Sequence, residues 1–136
     1  MKFRNLMVLV IIVFGISVLA VAEEPKVEWE YIKGGQGMGI VRGASYDEVW
    51  ERAQDVLLFE KFKPRGCVFK VRHETITVEK SSGLIAVKGF MGQTFRYTFK
   101  VIIQEKDDQI VVKTRCSSAW KKRVIEKFFQ LLEEGL

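Results

Sequence analysis

The spacing of apolar residues predicts two amphipathic helices, one in the middle of the chain and one at its end. Ser45 and Glu48 fit a capping box at the start of the first helix. The apolar stripe that follows at helical spacing comprises Tyr46, Val49, Trp50, Ala53, Val56 and Leu57. The second helix is expected from Ala119 onward, and its stripe comprises Trp120, Val124, Phe128, Leu131 and Leu132.

Between the helices the apolar period changes to two, which is typical of β-strands. The clearest strand covers residues 94–104, with further strands expected over 67–79, 84–90 and 110–116. The parity of the apolar positions slips between His73 and Thr75, which predicts a β-bulge there. Gly83 and the pair Asp107-Asp108 lie where hairpin turns are needed.

These elements predict an α+β fold with two layers. An antiparallel meander of about four strands is covered on its apolar face by an N-terminal and a C-terminal amphipathic helix. We expect this domain to span residues 45–136. Residues 23–44 precede it as an extended, glycine-rich segment, in which 26–32 alternates as a short strand and Gly34 to Gly39 forms a flexible or tight connection.

The first 22 residues have the composition of an export signal. Lys2 and Arg4 precede an apolar run from Leu6 to Ala22, which ends in a small-x-small triplet before the acidic Glu23. This order predicts a signal peptide cleaved after Ala22. The run is slightly long for a signal core and slightly short for a membrane span, which leaves an uncleaved anchor in the inner membrane over residues 6–22 as the alternative. In either case the domain is expected outside the cytoplasm, in the periplasm or secreted.

The charge balance argues against nucleic acid as a partner. The whole chain carries a formal net charge of +5, and loss of Lys2 and Arg4 with the leader lowers it to +3. Nucleic-acid-binding domains carry stronger and more clustered positive charge. The sequence contains no metal-ligand or nucleotide-binding spacing, and we expect no cofactor.

Four basic residues are predicted on the exposed face of the sheet. Arg96 and Lys100 alternate with the apolar residues of the clearest strand, and Lys113 and Arg115 do so in the last one. This face is therefore expected to be wet and mildly basic, and to suit an envelope protein or an anionic surface as partner.

Cys67 and Cys116 are the only cysteines, and their pairing is left open by the sequence. An oxidising compartment favours a disulfide between them, whereas two buried thiols are the alternative. His73 is the single histidine, six residues from Cys67. Six strand residues span about 20 Å, too far for a nucleophile and its base, so we predict no catalytic site and no enzyme activity.

Two short stretches resemble small bacterial envelope domains. They are Ser-Tyr-Asp-Glu-Val-Trp at 45–50 and Glu-Lys-Ser-Ser-Gly-Leu-Ile at 79–85. Together they resemble the helix-grip domains of BamC-type outer-membrane assembly lipoproteins. The chain departs from that pattern because Glu23, not a lipid-bearing cysteine, follows Ala22. The resemblance implies a helix-grip fold and a role in the envelope, and it assigns no functional residue.

The sequence thus predicts a non-catalytic, exported bacterial envelope domain that acts by binding or as an assembly accessory. The alternative is a carrier that holds a hydrophobic ligand in a groove between helix and sheet. The aromatic residues on the predicted buried faces serve core packing in the first case and would line the groove in the second.

Overall fold

The computed structural model describes residues 24–59, 71–91, 95–117 and 121–136. Within these ranges the chain forms six strands and two helices. In chain order they are β1 (Lys26–Tyr31), β2 (Gln36–Arg42), α1 (Tyr46–Gln54), β3 (Val71–Glu79), β4 (Leu84–Met91), β5 (Phe95–Lys106), β6 (Gln109–Ser117) and α2 (Lys121–Glu134).

All six described strands join one antiparallel sheet in the order β1-β2-β6-β5-β4-β3. The predicted α+β class is therefore confirmed. The expected strand number of about four is too low, because the segment before α1 contributes a hairpin of its own. β2 of that hairpin pairs with β6 along its length, from Gln36 opposite Arg115 to Val41 opposite Ile110.

The glycine-rich segment, predicted as a flexible or tight connection, forms the tight turn of this hairpin and the first part of β2. Gly34 and Gly35 have positive φ angles of 61° and 81° and make the turn between β1 and β2. Gly37 and Gly39 lie inside β2, where they are buried beneath α2. The sequence did not predict β2 as a strand, because its buried positions Gly37 and Gly39 carry no apolar side chain.

The first helix begins as its sequence predicts. The Ser45 side chain accepts a hydrogen bond from the Glu48 backbone, and the Glu48 carboxylate accepts one from the Ser45 N–H at 2.8 Å. Hydrogen bonds to the Glu48 carboxylate from the Ser45 backbone N–H and from the Ser45 side chain lower the pKa of Glu48. A π-helical turn at Asp55–Phe59 continues the helix, and the predicted stripe residues Val49, Trp50, Ala53, Val56 and Leu57 are all buried.

The second helix fills the centre of the apolar layer. Its residues Val124, Ile125, Phe128, Phe129 and Leu132 are fully buried against the sheet. The Phe128 ring packs edge-on against Phe99 at 5.2 Å, and the Phe129 ring stacks on Trp29 at 5.3 Å. Arg52 of α1 holds the two helices together by donating from Nε to the Leu131 carbonyl at 3.0 Å.

The helices do not cover the whole apolar face. They pack on β1, β2, β5 and β6, whereas Ile76 and Val78 of β3 remain 50% and 42% exposed. Register places both on the helix side of the sheet, because they lie opposite Val87 and Ile85. Among the described residues, the helices therefore cover the apolar face over β1, β2, β5 and β6, and these two side chains of β3 stay about half exposed.

Two predicted local features of the strands are confirmed. The pairing of β3 with β4 shifts register between His73 and Thr75, as expected of a bulge. Gly83 adopts the left-handed conformation, with φ at 65°, after a 3₁₀ turn at Lys80–Ser82.

Some predicted features lie outside the described residues. They are the expected leader at 1–22, residues 60–70 with Cys67, and Trp120. Within the described ranges, no helix is long and apolar enough to cross a membrane.

Candidate functional site

The predicted basic residues lie on the outer face of the sheet, opposite the helices. Lys100 of β5 and Arg115 of β6 are direct cross-strand partners, and Lys113 lies opposite Ile102, two residue pairs further along the ladder. All four predicted residues are exposed. The alternation along β5 and β6 therefore placed them on the correct face.

The structure brings three of the four together and leaves Arg96 apart. Arg96 precedes Lys100 by four residues on the same strand, which corresponds to about 13 Å. Its guanidinium carbon lies 5.3 Å from the centre of the Phe90 ring, a cation–π distance. We call Lys100, Lys113 and Arg115 the basic cluster.

The positive charges of the basic cluster are not neutralised by an ion pair within the described residues. Within the part of the chain that the structure describes, ion pairs join Arg42 to Glu28 at 2.5 Å and Lys80 to Asp47 at 3.1 Å, and no carboxylate pairs with the cluster. Like charges directly opposite each other on a sheet destabilise it. The cross-strand pair of Lys100 and Arg115 therefore favours an anion that neutralises both.

A shallow depression of about 390 Å³ lies beside the cluster. Its lining combines the three cations with apolar and amide side chains and includes Ile32, Gln36, Met38, Lys100, Ile102, Lys113 and Arg115. Ile32 and Met38 are 45% and 36% exposed, although both are large apolar residues. The depression can therefore hold a group that is anionic at one end and apolar at the other.

Sequence reasoning missed the contributions of the first hairpin and of β4 to this face. Ile32 and Met38 reach the depression only because β2 pairs with β6, which depends on a hairpin that the glycines conceal. Lys88 of β4 lies opposite Thr98 on the same face and is exposed. Its alternation with the buried residues Ile85 and Val87 was a signal that could have identified it.

Cys116 lies on the opposite, buried face. It is 2% exposed, as its strand parity predicts, and its backbone N–H donates to the Gly35 carbonyl at 2.7 Å. Cys67 lies outside the described residues, so the disulfide and the alternative of two buried thiols both stay predictions. The same holds for the distance between Cys67 and His73.

His73 and Tyr97 form a polar pair at the end of the buried face. Their ring centres are 6.1 Å apart. Burial lowers the pKa of His73, and burial together with the nearby Cys116 thiol raises the pKa of Tyr97. Within the described residues, His73 Nε2 and Tyr97 Oη are buried without a hydrogen-bond partner.

In the same ranges, no group of three or more His, Cys, Asp or Glu side chains could hold a metal ion.

Comparison with known proteins adds little to this geometry. No family model matches the chain, and no curated protein matches it. Among solved structures, the chain is similar to the crystal structure of CalU16 from Micromonospora echinospora, with 8% sequence identity and a TM-score of 0.41. The match covers 83% of this chain and 94% of that chain. A likeness of this degree carries no argument about function.

Proposed function

We propose that the protein is a non-catalytic binding domain of the bacterial cell envelope that holds an anionic partner against the outer face of its sheet. The observation that carries the proposal is the direct opposition of Lys100 and Arg115, with Lys113 beside them and no carboxylate partner within the described residues. An anion placed between these side chains removes their mutual repulsion.

The apolar part of the depression narrows the chemistry of the partner. Exposed Ile32 and Met38 border the three cations, so a ligand that also buries apolar surface gains about 25 cal/mol for each Å² removed from water. An anionic amphiphile, such as the surface of a bilayer with acidic headgroups, meets both requirements.

The test is binding to lipid vesicles by charge-neutralised variants. Each basic residue near an anionic bilayer contributes about 1 kcal/mol, so Lys100→Gln/Arg115→Gln is expected to weaken binding to phosphatidylglycerol vesicles roughly 30-fold. The measurement is co-sedimentation with vesicles that contain phosphatidylglycerol, after subtraction of binding to phosphatidylcholine alone. The N-terminal segment with Lys2 and Arg4 is the same in every variant, so its contribution cancels when the variants are compared with each other.

The matched control is Lys106→Gln/Lys121→Gln, which removes the same charge at two exposed positions away from the depression. This control is expected to bind much more tightly than the cluster variant, and Arg96→Gln is expected to have an intermediate effect. Equal losses in both double variants would show that only net charge matters and would overturn the proposed site.

The proposed location of the protein in the cell envelope rests on its N-terminal segment. The basic start, the apolar run and the small residues before Glu23 support export. The BamC-type resemblance supports an envelope role and stays a prediction in the same way. An assembly-accessory role is compatible with a binding face of this kind.

As a second candidate function we propose a carrier of a small, mainly apolar ligand on the helix side of the sheet. The observation in its favour is the pair of buried, unpartnered polar atoms on His73 and Tyr97, since such atoms normally have a partner. Native mass spectrometry of protein purified from the envelope fraction tests it, and the same spectrum shows whether the chain starts at Glu23. A co-purifying ligand that is lost in Tyr97→Phe supports the carrier, whereas a bare protein mass counts against it.

A further inference from the structure

The outer face of the sheet carries negative charge on β1, beside the basic cluster. Glu28 and Glu30 point to this face. They alternate with Trp29, whose ring stacks on Phe129 on the helix side. Arg42 pairs with Glu28 at 2.5 Å. Glu30 is exposed, and no ion pair within the described residues neutralises its carboxylate.

The pairing of the strands aligns Glu30 with the basic cluster in one row across the sheet. Glu30 lies directly opposite Met38 of β2, and Met38 lies directly opposite Lys113 of β6. Arg115 and Lys100 form the neighbouring row, two residues further along. Two strand spacings of about 4.8 Å separate Glu30 from Lys113, so their Cα atoms lie about 10 Å apart.

Met38 provides an apolar surface between the two opposite charges. It lines the depression of about 390 Å³ that contains the basic cluster, and also a second depression of about 240 Å³ beside Glu30 and Ile40. The two depressions therefore adjoin at Met38. Together they present negative charge on one side, positive charge on the other and an exposed thioether between them.

The spacing of the charges limits the ligand that can contact both. Side chains of a strand stand roughly perpendicular to the sheet, so the Glu30 carboxylate and the Lys113 ammonium are separated much as their Cα atoms are. One charge-assisted hydrogen bond of about 2.8 Å at each end leaves about 4 Å between the charged atoms of the ligand. A two-carbon linker sets this separation between an ammonium nitrogen and a phosphate oxygen.

We propose that Glu30 makes the binding face selective for phospholipids with a phosphoethanolamine headgroup. The inference rests on the proposed function, since the basic cluster holds the phosphate while the Glu30 carboxylate accepts hydrogen bonds from the primary ammonium. A quaternary choline nitrogen has no N–H to donate, and a glycerol headgroup offers only neutral hydroxyls. Exposed Ile32 and Met38 favour a lipid over a soluble phosphate ester, because they lose contact with water only against an apolar group.

The first test measures headgroup preference by vesicle co-sedimentation of the full chain. Two vesicle sets contain the same share of phosphatidylglycerol, and the remainder is phosphatidylethanolamine in one set and phosphatidylcholine in the other. The ratio of the two affinities is expected to fall about fivefold in Glu30→Gln, which is the contribution of a favourable exposed ion pair. The matched control Glu51→Gln removes the same charge from an exposed position on α1 and should keep the ratio of the unmodified protein.

The direction of the effect separates lost selectivity from lost folding. Glu30→Gln is expected to bind the phosphatidylcholine set at least as tightly as the unmodified protein, because loss of a negative charge favours an anionic bilayer. Any influence of ethanolamine lipids on bilayer packing is common to all the proteins and cancels between them. An equal ratio in Glu30→Gln and in the unmodified protein would overturn the proposal.

The same vesicles distinguish failure of this inference from failure of the proposed function. Lys100→Gln/Arg115→Gln is expected to lose binding to both sets. If it does so while Glu30→Gln keeps the preference of the unmodified protein, only the headgroup selectivity is wrong. If the cluster variant instead binds as tightly as Lys106→Gln/Lys121→Gln, the proposed function fails and the inference fails with it.

The second test identifies the source of the headgroup by nuclear magnetic resonance. Free phosphoethanolamine and a short-chain phosphatidylethanolamine are titrated separately into isotope-labelled protein, and the amide shifts of Glu30, Met38 and Lys113 are followed. The lipid is expected to bind more tightly, since its apolar part also contacts Ile32. Equal affinities would assign the face to a soluble phosphate ester and overturn the proposal. Lipid-free self-association that Glu30→Gln abolishes would assign it to a second copy, with the same consequence.

Discussion

At the scale of single residues, the absence of a side chain at Gly39 decides how the first hairpin packs. A Cβ atom at this position would lie 2.6 Å from Cε1 of Phe129. Phe129 is fully buried and stacks on Trp29, which is the cross-strand partner of Gly39. The glycine therefore provides the space in which α2 reaches the sheet.

We expect Gly39→Ala to lower the free energy of unfolding by about 1–3 kcal/mol, because the added methyl group overpacks the space occupied by Phe129. Urea denaturation measures this change. The control Gln36→Ala, an exposed position in the same strand, is expected to stay within about 0.5 kcal/mol.

The mechanism is checked by repeating the substitution in a Phe129→Leu background. Removal of the ring atoms that meet the new methyl group should reduce the cost of Gly39→Ala by at least about 0.5 kcal/mol. An unchanged cost in the double variant would show that the ring contact is not the cause.

At the scale of elements, α2 carries its charges against the helix dipole, and its packing explains why this is tolerated. Lys121, Lys122 and Arg123 lie at the positive start of the helix, and Glu133 and Glu134 at its negative end. Lys122 contacts the Tyr31 ring at 5.9 Å, and Glu133 accepts the hydrogen bond from Val27. Two of the unfavourable charges thus contact β1, and the wide buried stripe outweighs the remaining cost.

Glu133→Ala is expected to lower the free energy of unfolding by about 1 kcal/mol relative to Glu134→Ala, since only the first loses a hydrogen bond to the backbone. Both substitutions relieve the dipole equally, so their difference isolates that bond. Chemical denaturation gives the free energies, and hydrogen exchange of the Val27 amide should accelerate only in Glu133→Ala. Equal stabilities would show that the bond contributes nothing to the fold.

At the scale of the whole molecule, the segment before α1 is part of the sheet. Its strand β1 forms one edge of the sheet, and its strand β2 lies between β1 and β6. β2 pairs with β1 on one side and β6 on the other, and Val41 is 1% exposed. The core therefore extends from β1 across the sheet and includes residues from both sides of α1.

We expect the amides of β2, like those of β5 and β6, to become exposed to solvent only by global unfolding. Native-state hydrogen exchange at increasing denaturant measures this. Amides of Ile40 and Val41 should show opening free energies within about 1 kcal/mol of those of Val101 and Val112, and the edge strand β3 should open more easily. Opening of β2 at much lower free energy than β6 would show that residues 23–44 form a separate unit.

The sequence alone determined the features that depend on neighbouring residues. The capping box at Ser45, the bulge after His73, the turn at Gly83 and the outward position of Lys100 and Arg115 are all local consequences of hydrogen-bonding groups or strand parity. These follow because helical and strand periods are set by backbone geometry over a few residues.

Only the tertiary structure decided which strands and side chains pack against the faces that the sequence predicts. The tertiary structure sets the number of strands, the neighbours of β2 and the position of Lys113 beside Ile32 and Met38. All three depend on pairing between residues 69 to 79 positions apart in the chain. The exposure of Ile76 and Val78 in β3 depends likewise on which strands the helices reach. Such pairings result from the packing of the whole core, which no local pattern specifies, and glycines in β2 removed the one pattern that would have indicated its strand.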